Sequence, residues 1–209
     1  MIMKFYLSSF KLGSDSKELV RLTMPNKKIG FIPNASDYTK ANTQWENEIN
    51  NQDMAELKNL GLDVQLLDLR KYFGKTYELR KKINELGAVF VRGGNTFVLR
   101  QAMRLSGFDT IFQELLKMDD FVYAGYSAGI CVLSSDIKVL QIVDDPTDNP
   151  YRELQDTIWE GLGYLDYIII PHYKSYHPES ALVDRLVEEC QKNGIPFKTL
   201  RDGEVILIE

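Results

Sequence analysis

Tyr123-Ala124-Gly125-Tyr126-Ser127-Ala128-Gly129 follows the apolar pair Phe121-Val122. Gly125, Ser127 and Gly129 have the G-x-S-x-G spacing of a nucleophile elbow, a strand–turn–helix bend with serine at its tip. The tight bend leaves no room for bulk beside the serine, so small residues flank it. The following helix aims its first N–H groups at the same cleft. A serine hydroxyl is a weak nucleophile at its free pKa and needs a base and an oxyanion hole. The only two histidines are His172 and His177. His172 ends the run Ile168-Ile169-Ile170-Pro171, and Pro171 holds the preceding residue extended. Ligands of open parallel sheets bind beyond the carboxyl ends of the strands, so His172 and Ser127 belong on one rim. His172 is the expected base and His177, before Pro178, a solvated alternative. A zinc site built on both is not expected, because no third ligand is spaced to complete it. Val91-Arg92-Gly93-Gly94-Asn95-Thr96 reads as strand, glycine pair and helix start, with Asn95 as cap. The Gly94 and Ala128 N–H groups are the natural oxyanion donors.

These residues need a scaffold of strands ending on one edge. Apolar runs at residues 4–7, 28–33, 63–69, 88–91, 121–124 and 167–170 read as strands. Residues 196–200 and 204–208 read as a closing hairpin through Asp202-Gly203. Helical spacing fills 43–60, 76–86, 96–105, 109–118 and 178–193, with Gly61, Gly87 and Gly194 as stop signals. This alternation predicts an α/β fold whose mostly parallel sheet is covered on both faces. Residues 141–155, rich in Asp, Asn and Pro, read as an exposed loop near the site.

A length of 209 residues fits one domain, spanning 1–209. A formal charge of −5, with no basic cluster, excludes a nucleic-acid or anionic-membrane footprint. No apolar run is long enough to cross a bilayer. Residues 1–7 lack a signal-peptide layout and read as the start of a first strand. Two cysteines, Cys131 and Cys190, make neither a disulfide framework nor a zinc site. A cytoplasmic location is the expectation. Cys131 reads as a small buried residue, and Trp45 and Trp159 as core or interface anchors. Arg92, Arg152, Lys174 and Arg201 read as surface charges, one of which could bind a substrate carboxylate. The oligomeric state is open; the sequence holds no coiled coil.

Gly93-Gly94-Asn95-Thr96-Phe97, Gly125-Tyr126-Ser127-Ala128-Gly129 and Pro171-His172-Tyr173, taken in this order, resemble the family of aspartyl dipeptidase (peptidase E) and cyanophycinase. The likeness covers nearly the whole chain, including Phe31-Ile32-Pro33-Asn34-Ala35. The resemblance implies a class I glutamine amidotransferase-like fold, a flavodoxin-like three-layer α/β/α sandwich. It implies a serine peptidase needing no metal or cofactor, with Ser127 as nucleophile, His172 as base, and Gly94 and Ala128 as oxyanion donors. The family carries an acidic residue in a Leu-x-Glu/Asp-Gly stretch, which Leu200-Arg201-Asp202-Gly203 matches, so Asp202 becomes the expected third member. Asp144 and Asp145 are the rivals, and would give the chain order Ser, Asp, His. The family also has an important aspartate in that loop region, which marks Asp145 for substrate contact beside Asn95 and Tyr126. The expected activity is hydrolysis of small peptides, with Asp-X dipeptides one option. An esterase or amidase of the same fold and a non-catalytic binding module are the alternatives.

Overall fold

The apolar runs become strands, and their order decides where the chemistry gathers. The computed structural model describes residues 3–38, 43–154 and 156–209. Met1 and Ile2, read as leading into the first strand, and Gln155, at the end of the irregular stretch, lie outside them. The chain runs β1 (Lys4–Ser8), α1 (Ser16–Leu22), β2 (Lys28–Ile32), α2 (Thr43–Asn59), β3 (Asp63–Leu66), α3 (Thr76–Ile83) and β4 (Ala88–Val91). It continues α4 (Thr96–Ser106), α5 (Phe108–Leu115), β5 (Val122–Tyr126), α6 (Ala128–Cys131), β6 (Ile168–Ile170), α7 (Ser180–Asn193), β7 (Phe197–Thr199) and β8 (Val205–Ile208). The main sheet has the order β3-β2-β4-β5-β1-β8. Its first five strands are parallel, and only β8 runs antiparallel, against β1.

Strand residues alternate between faces, so each central strand feeds two cores. Phe5, Leu7, Val89, Val91 and Tyr123 enter one cluster. Tyr6, Ala88, Phe90, Val122 and Ala124 enter the other. Both faces are therefore covered, and the fold is a three-layer α/β sandwich, as expected. Burying each large apolar side chain contributes about 1.5–3 kcal/mol, which is why these strands read as nearly continuous apolar runs. A third cluster joins Phe97 to Ile168, Ile170, Val183 and Leu186, and fixes β6 and α7 beside the start of α4. No helix among the described residues is long and apolar enough to cross a membrane.

Register sets the rim. Ser8 pairs with Tyr126, Val91 with Gly125, and Ile32 with Val91. The residues that follow, Ser9, Ser127, Gly93-Gly94 and Asn34, leave the sheet along one edge.

Several local expectations change. The two closing strands are not a hairpin. β7 pairs in parallel with β6 in a separate two-stranded sheet, whereas β8 joins the main sheet. The turn through Asp202-Gly203 forms, with the Glu204 N–H donating to the Arg201 carbonyl at 2.9 Å, but it links two sheets. Gly87 does not cap the helix before it, which ends at Ile83. A side chain at Gly87 would strike the Asn26 carbonyl at 2.4 Å, so close approach is its role. Helix α1 has no counterpart among the sequence expectations; its seven residues are too few to show a clear period.

Candidate active site

Ser127 stands where β5 turns into α6, with φ +50° and ψ −121°. A left-handed conformation in a non-glycine residue costs about 1–3 kcal/mol and persists only where surroundings impose it. Two residues on, a Cβ at Gly129 would lie 2.3 Å from the Val91 carbonyl oxygen, so the chain after Ser127 presses against β4 with no room for a side chain. The one-turn helix thus packs directly on β4. Ala128 opens that helix, so its N–H has no intrahelical acceptor. Gly94 lines the same crevice, at φ +146° with Ala35 pressed against it. Its conformation and contact both exclude a side chain. Ser127, Ala128 and Gly94 thus line one crevice.

His172 comes from the small sheet. The Tyr173 N–H donates to the Leu200 carbonyl and the Leu200 N–H to the Ile170 carbonyl, each at 2.9 Å. These bonds continue the β6–β7 pairing and bring the residues beyond each strand face to face. His172 Nδ1 lies 2.7 Å from Asp202 Oδ1, and His172 Nε2 lies 3.2 Å from Ser127 Oγ. Serine, imidazole and carboxylate form a continuous hydrogen-bonded chain. Burial pushes the His172 pKa down first, and the charge of His177 adds to it, while Asp202 pulls the other way. The ring is therefore held neutral, the form a base needs.

Ser9 ties the two sheets together. It is fully buried at the end of β1, its hydroxyl accepts the His172 N–H at 2.9 Å, and it lies 2.9 Å from Asp202 Oδ1 as donor. Sequence reasoning passed over Ser9. The rim rule that placed His172 would have found it, since Ser9 also follows a strand end.

Of the rival acids, Asp144 lies in the site but not behind the imidazole. Its carboxylate accepts the Thr96 N–H at 2.9 Å, at the start of α4. Burial pushes its pKa up to about 7, with Glu179 adding to the rise. Asp145 is exposed; its side chain accepts from Thr147, and its carbonyl accepts from Asn95 Nδ2 at 2.9 Å. Asn95 also caps α4, its side chain accepting from the Phe97 and Val98 N–H groups. Glu179, read in the sequence only as part of the helix 178–193, stands just before α7 and faces Asp144 and His177 across a crevice beside Ser127. Burial raises its pKa as well.

The cleft over Ser127 encloses about 540 Å³. Phe10, Trp45, Tyr126, Asp144, His177 and Glu179 are among its walls. Tyr126 presents only its ring, because its hydroxyl donates to Asp53 at 2.7 Å. Trp45 is half exposed rather than a core anchor. Arg92 is not a surface charge: it is buried, paired with Glu46 at 2.6 Å and near Asp53 at 3.8 Å. Its charge is committed to α2. Cys131 is buried, and burial raises its thiol pKa well above the ordinary value, which makes it an inert neighbour of the elbow.

His177 is only partly exposed, and its ring stacks on His172. With Glu179 it gives the third ligand type that the sequence spacing lacked, the three ligand atoms lying within 4.8 Å of one another. The rings are nearly parallel at 3.8 Å between centroids. Imidazole binds zinc in its own plane at about 2 Å, and one ion cannot lie in two stacked planes. The three residues do not fit a metal centre in this arrangement.

An uncharacterized peptidase of Listeria monocytogenes is 27% identical over 184 residues, covering 85% of this chain and 83% of that protein. A Streptomyces coelicolor protein named peptidase E is 28% identical over 133 residues, 61% of this chain and 51% of its own. Among solved structures, a Listeria monocytogenes candidate peptidase E superposes with a TM-score of 0.77 at 24% identity, covering 100% of this chain and 95% of that one. A peptidase from an acI-B1 actinobacterium gives a TM-score of 0.66 at 17% identity, covering 100% and 84%. The model of peptidase family S51 matches residues 11–209. By that match the chain belongs to peptidase family S51 and is a serine-type peptidase.

Proposed function

We propose that the protein cleaves short peptides with a free amino terminus through a Ser127–His172–Asp202 triad and an acyl-enzyme. The observation that carries this reading is the unbroken chain from Ser127 Oγ through the imidazole to Asp202. His172 Nε2 takes the hydroxyl proton as Ser127 attacks the scissile carbonyl. Asp202 accepts the Nδ1 proton in a hydrogen bond, fixes the tautomer and steadies the imidazolium. The Gly94 and Ala128 N–H groups hold the oxyanion. His172 then gives its proton to the departing amine, and water enters to release the acid by the reverse steps.

Asp144 and Glu179 support the substrate class. Two carboxyl groups beside the nucleophile offer an ammonium a charge-assisted partner one or two bonds from the attacked carbonyl. Their raised pKa values mark carboxylates short of a counter-charge, which a bound amino terminus supplies.

The test is Ser127→Ala. It should abolish hydrolysis of a dipeptide panel that includes Asp-X members, and abolish fluorophosphonate labelling, while thermal unfolding stays near wild type. Wild-type turnover by that variant would refute the assignment. Turnover of p-nitrophenyl esters with none of any dipeptide would move the substrate class to esters.

A further inference from the structure

The triad employs one of the chain's two histidines and leaves His177 without a task. Its ring lies face to face on His172, with centroids 3.8 Å and planes 6° apart. Phe10 closes the group edge-on, 5.8 Å from His172 and 5.9 Å from His177. The turn before α7 builds a seat for this ring. The His177 N–H donates to the Ser175 carbonyl at 3.0 Å, and the Ser180 hydroxyl donates to the His177 carbonyl at 2.6 Å. The Glu179 N–H donates to His177 Nδ1 at 3.4 Å, so the proton of the neutral ring sits on Nε2.

Building on the triad reading of Ser127, we propose that His177 is a positioning residue for the reaction. Its ring clamps the plane of the His172 imidazole and, when protonated, opposes a second positive charge there. Rotation of His172 about its Cβ–Cγ bond would drive its edge into His177. The stack therefore keeps Nε2 aimed at Ser127 and Nδ1 at Asp202, and sub-ångström placement of a base has a large effect on rate. Asp202 beyond β7 bonds His172 and Glu179 before α7 lies 3.9 Å from His177, while Lys11, Glu46, Arg92, Tyr126, Asp144 and Asp145 line the same cleft. Asp202 raises the proton affinity of both rings, whereas the charge of His177 lowers that of His172. Two rings in contact lose their protons in coupled steps.

With only two histidines in the chain, imidazole ¹⁵N NMR follows each ring directly. The titration is measured in wild type, His177→Phe and His177→Ala, together with the pH dependence of Ser127 labelling by a fluorophosphonate probe. Phenylalanine keeps a flat ring and removes the charge; alanine removes both. In His177→Phe the His172 midpoint and the acid limb of labelling should move to higher pH. In His177→Ala the plateau labelling rate should fall about ten- to a hundredfold, and His177→Phe should recover most of that loss. An unchanged midpoint and equal plateau rates in a wild type that labels would overturn the proposal alone. A wild type that does not label would overturn the triad reading and this proposal together. If His177→Ala does not fold, the midpoint in His177→Phe decides: a rise supports the clamp, and no rise removes it.

Discussion

Ser127 and His172 both adopt positive φ, +50° and +61°, although neither is glycine. The two residues adjoin in one hydrogen-bonded chain, flanked by the close approach of Gly129 to Val91 on one side and by the Ser9 hydrogen bond on the other. Asp144 shows a related compromise. Its pKa is raised to about 7 by burial, above the ordinary value of 3.8. The folded state therefore holds this proton more tightly than the unfolded chain. That stabilisation is complete below about pH 4 and is lost as pH climbs through about 7. Asp144→Asn should accordingly raise the melting temperature over wild type at pH 8 and leave it nearly unchanged at pH 4. It should also weaken turnover, since the carboxylate is the proposed partner of the substrate ammonium. Thermal melts at the two pH values decide the first point; an equal difference at both would refute it.

At the scale of elements, the site is a meeting of two sheets. The nucleophile belongs to the main sheet through β5, while base and acid belong to the small one through β6 and β7. Ser9 at the end of β1 bridges them by bonding to both His172 and Asp202. Its removal leaves a buried N–H without a partner, which costs about 1–3 kcal/mol. Ser9→Ala should lower melting modestly and kcat more steeply, because the hydroxyl sets the spacing between the sheets. Steady-state kinetics beside circular dichroism melts would read both. A kcat at wild-type level with a lowered melting temperature would reduce Ser9 to a structural role.

At the scale of the whole molecule, the five parallel strands end together and open one cleft of about 540 Å³ over the serine. A space of that size, with carboxylates beside the nucleophile, has room for the short peptide with a free amino group proposed above. N-acetylation of a good dipeptide substrate should lower kcat/KM at least about tenfold, the worth of one lost charge-assisted hydrogen bond. Equal rates for acetylated and free peptides would remove Asp144 and Glu179 from substrate binding.

Much of this was legible in residue order. The elbow at residues 125–129, the strand end before His172, the glycine pair at residues 93–94 and the parallel sheet all follow from local spacing and apolar runs. Local rules suffice there because a tight bend admits only small residues and a two-sided strand must be apolar throughout. The third member was expected at Asp202 with Asp144 and Asp145 as rivals, and it is the pairing of β7 with β6 that turns Asp202 toward the imidazole. The expected hairpin failed for the same reason, since a short apolar strand carries no mark of the sheet it joins. The roles of Ser9, Glu179, the ion-paired Arg92 and the His177 stack were decided only by the tertiary structure. For Ser9, Glu179 and Arg92 the partners lie far along the chain, whereas His177 reaches His172 across an irregular five-residue turn whose path no repeat encodes.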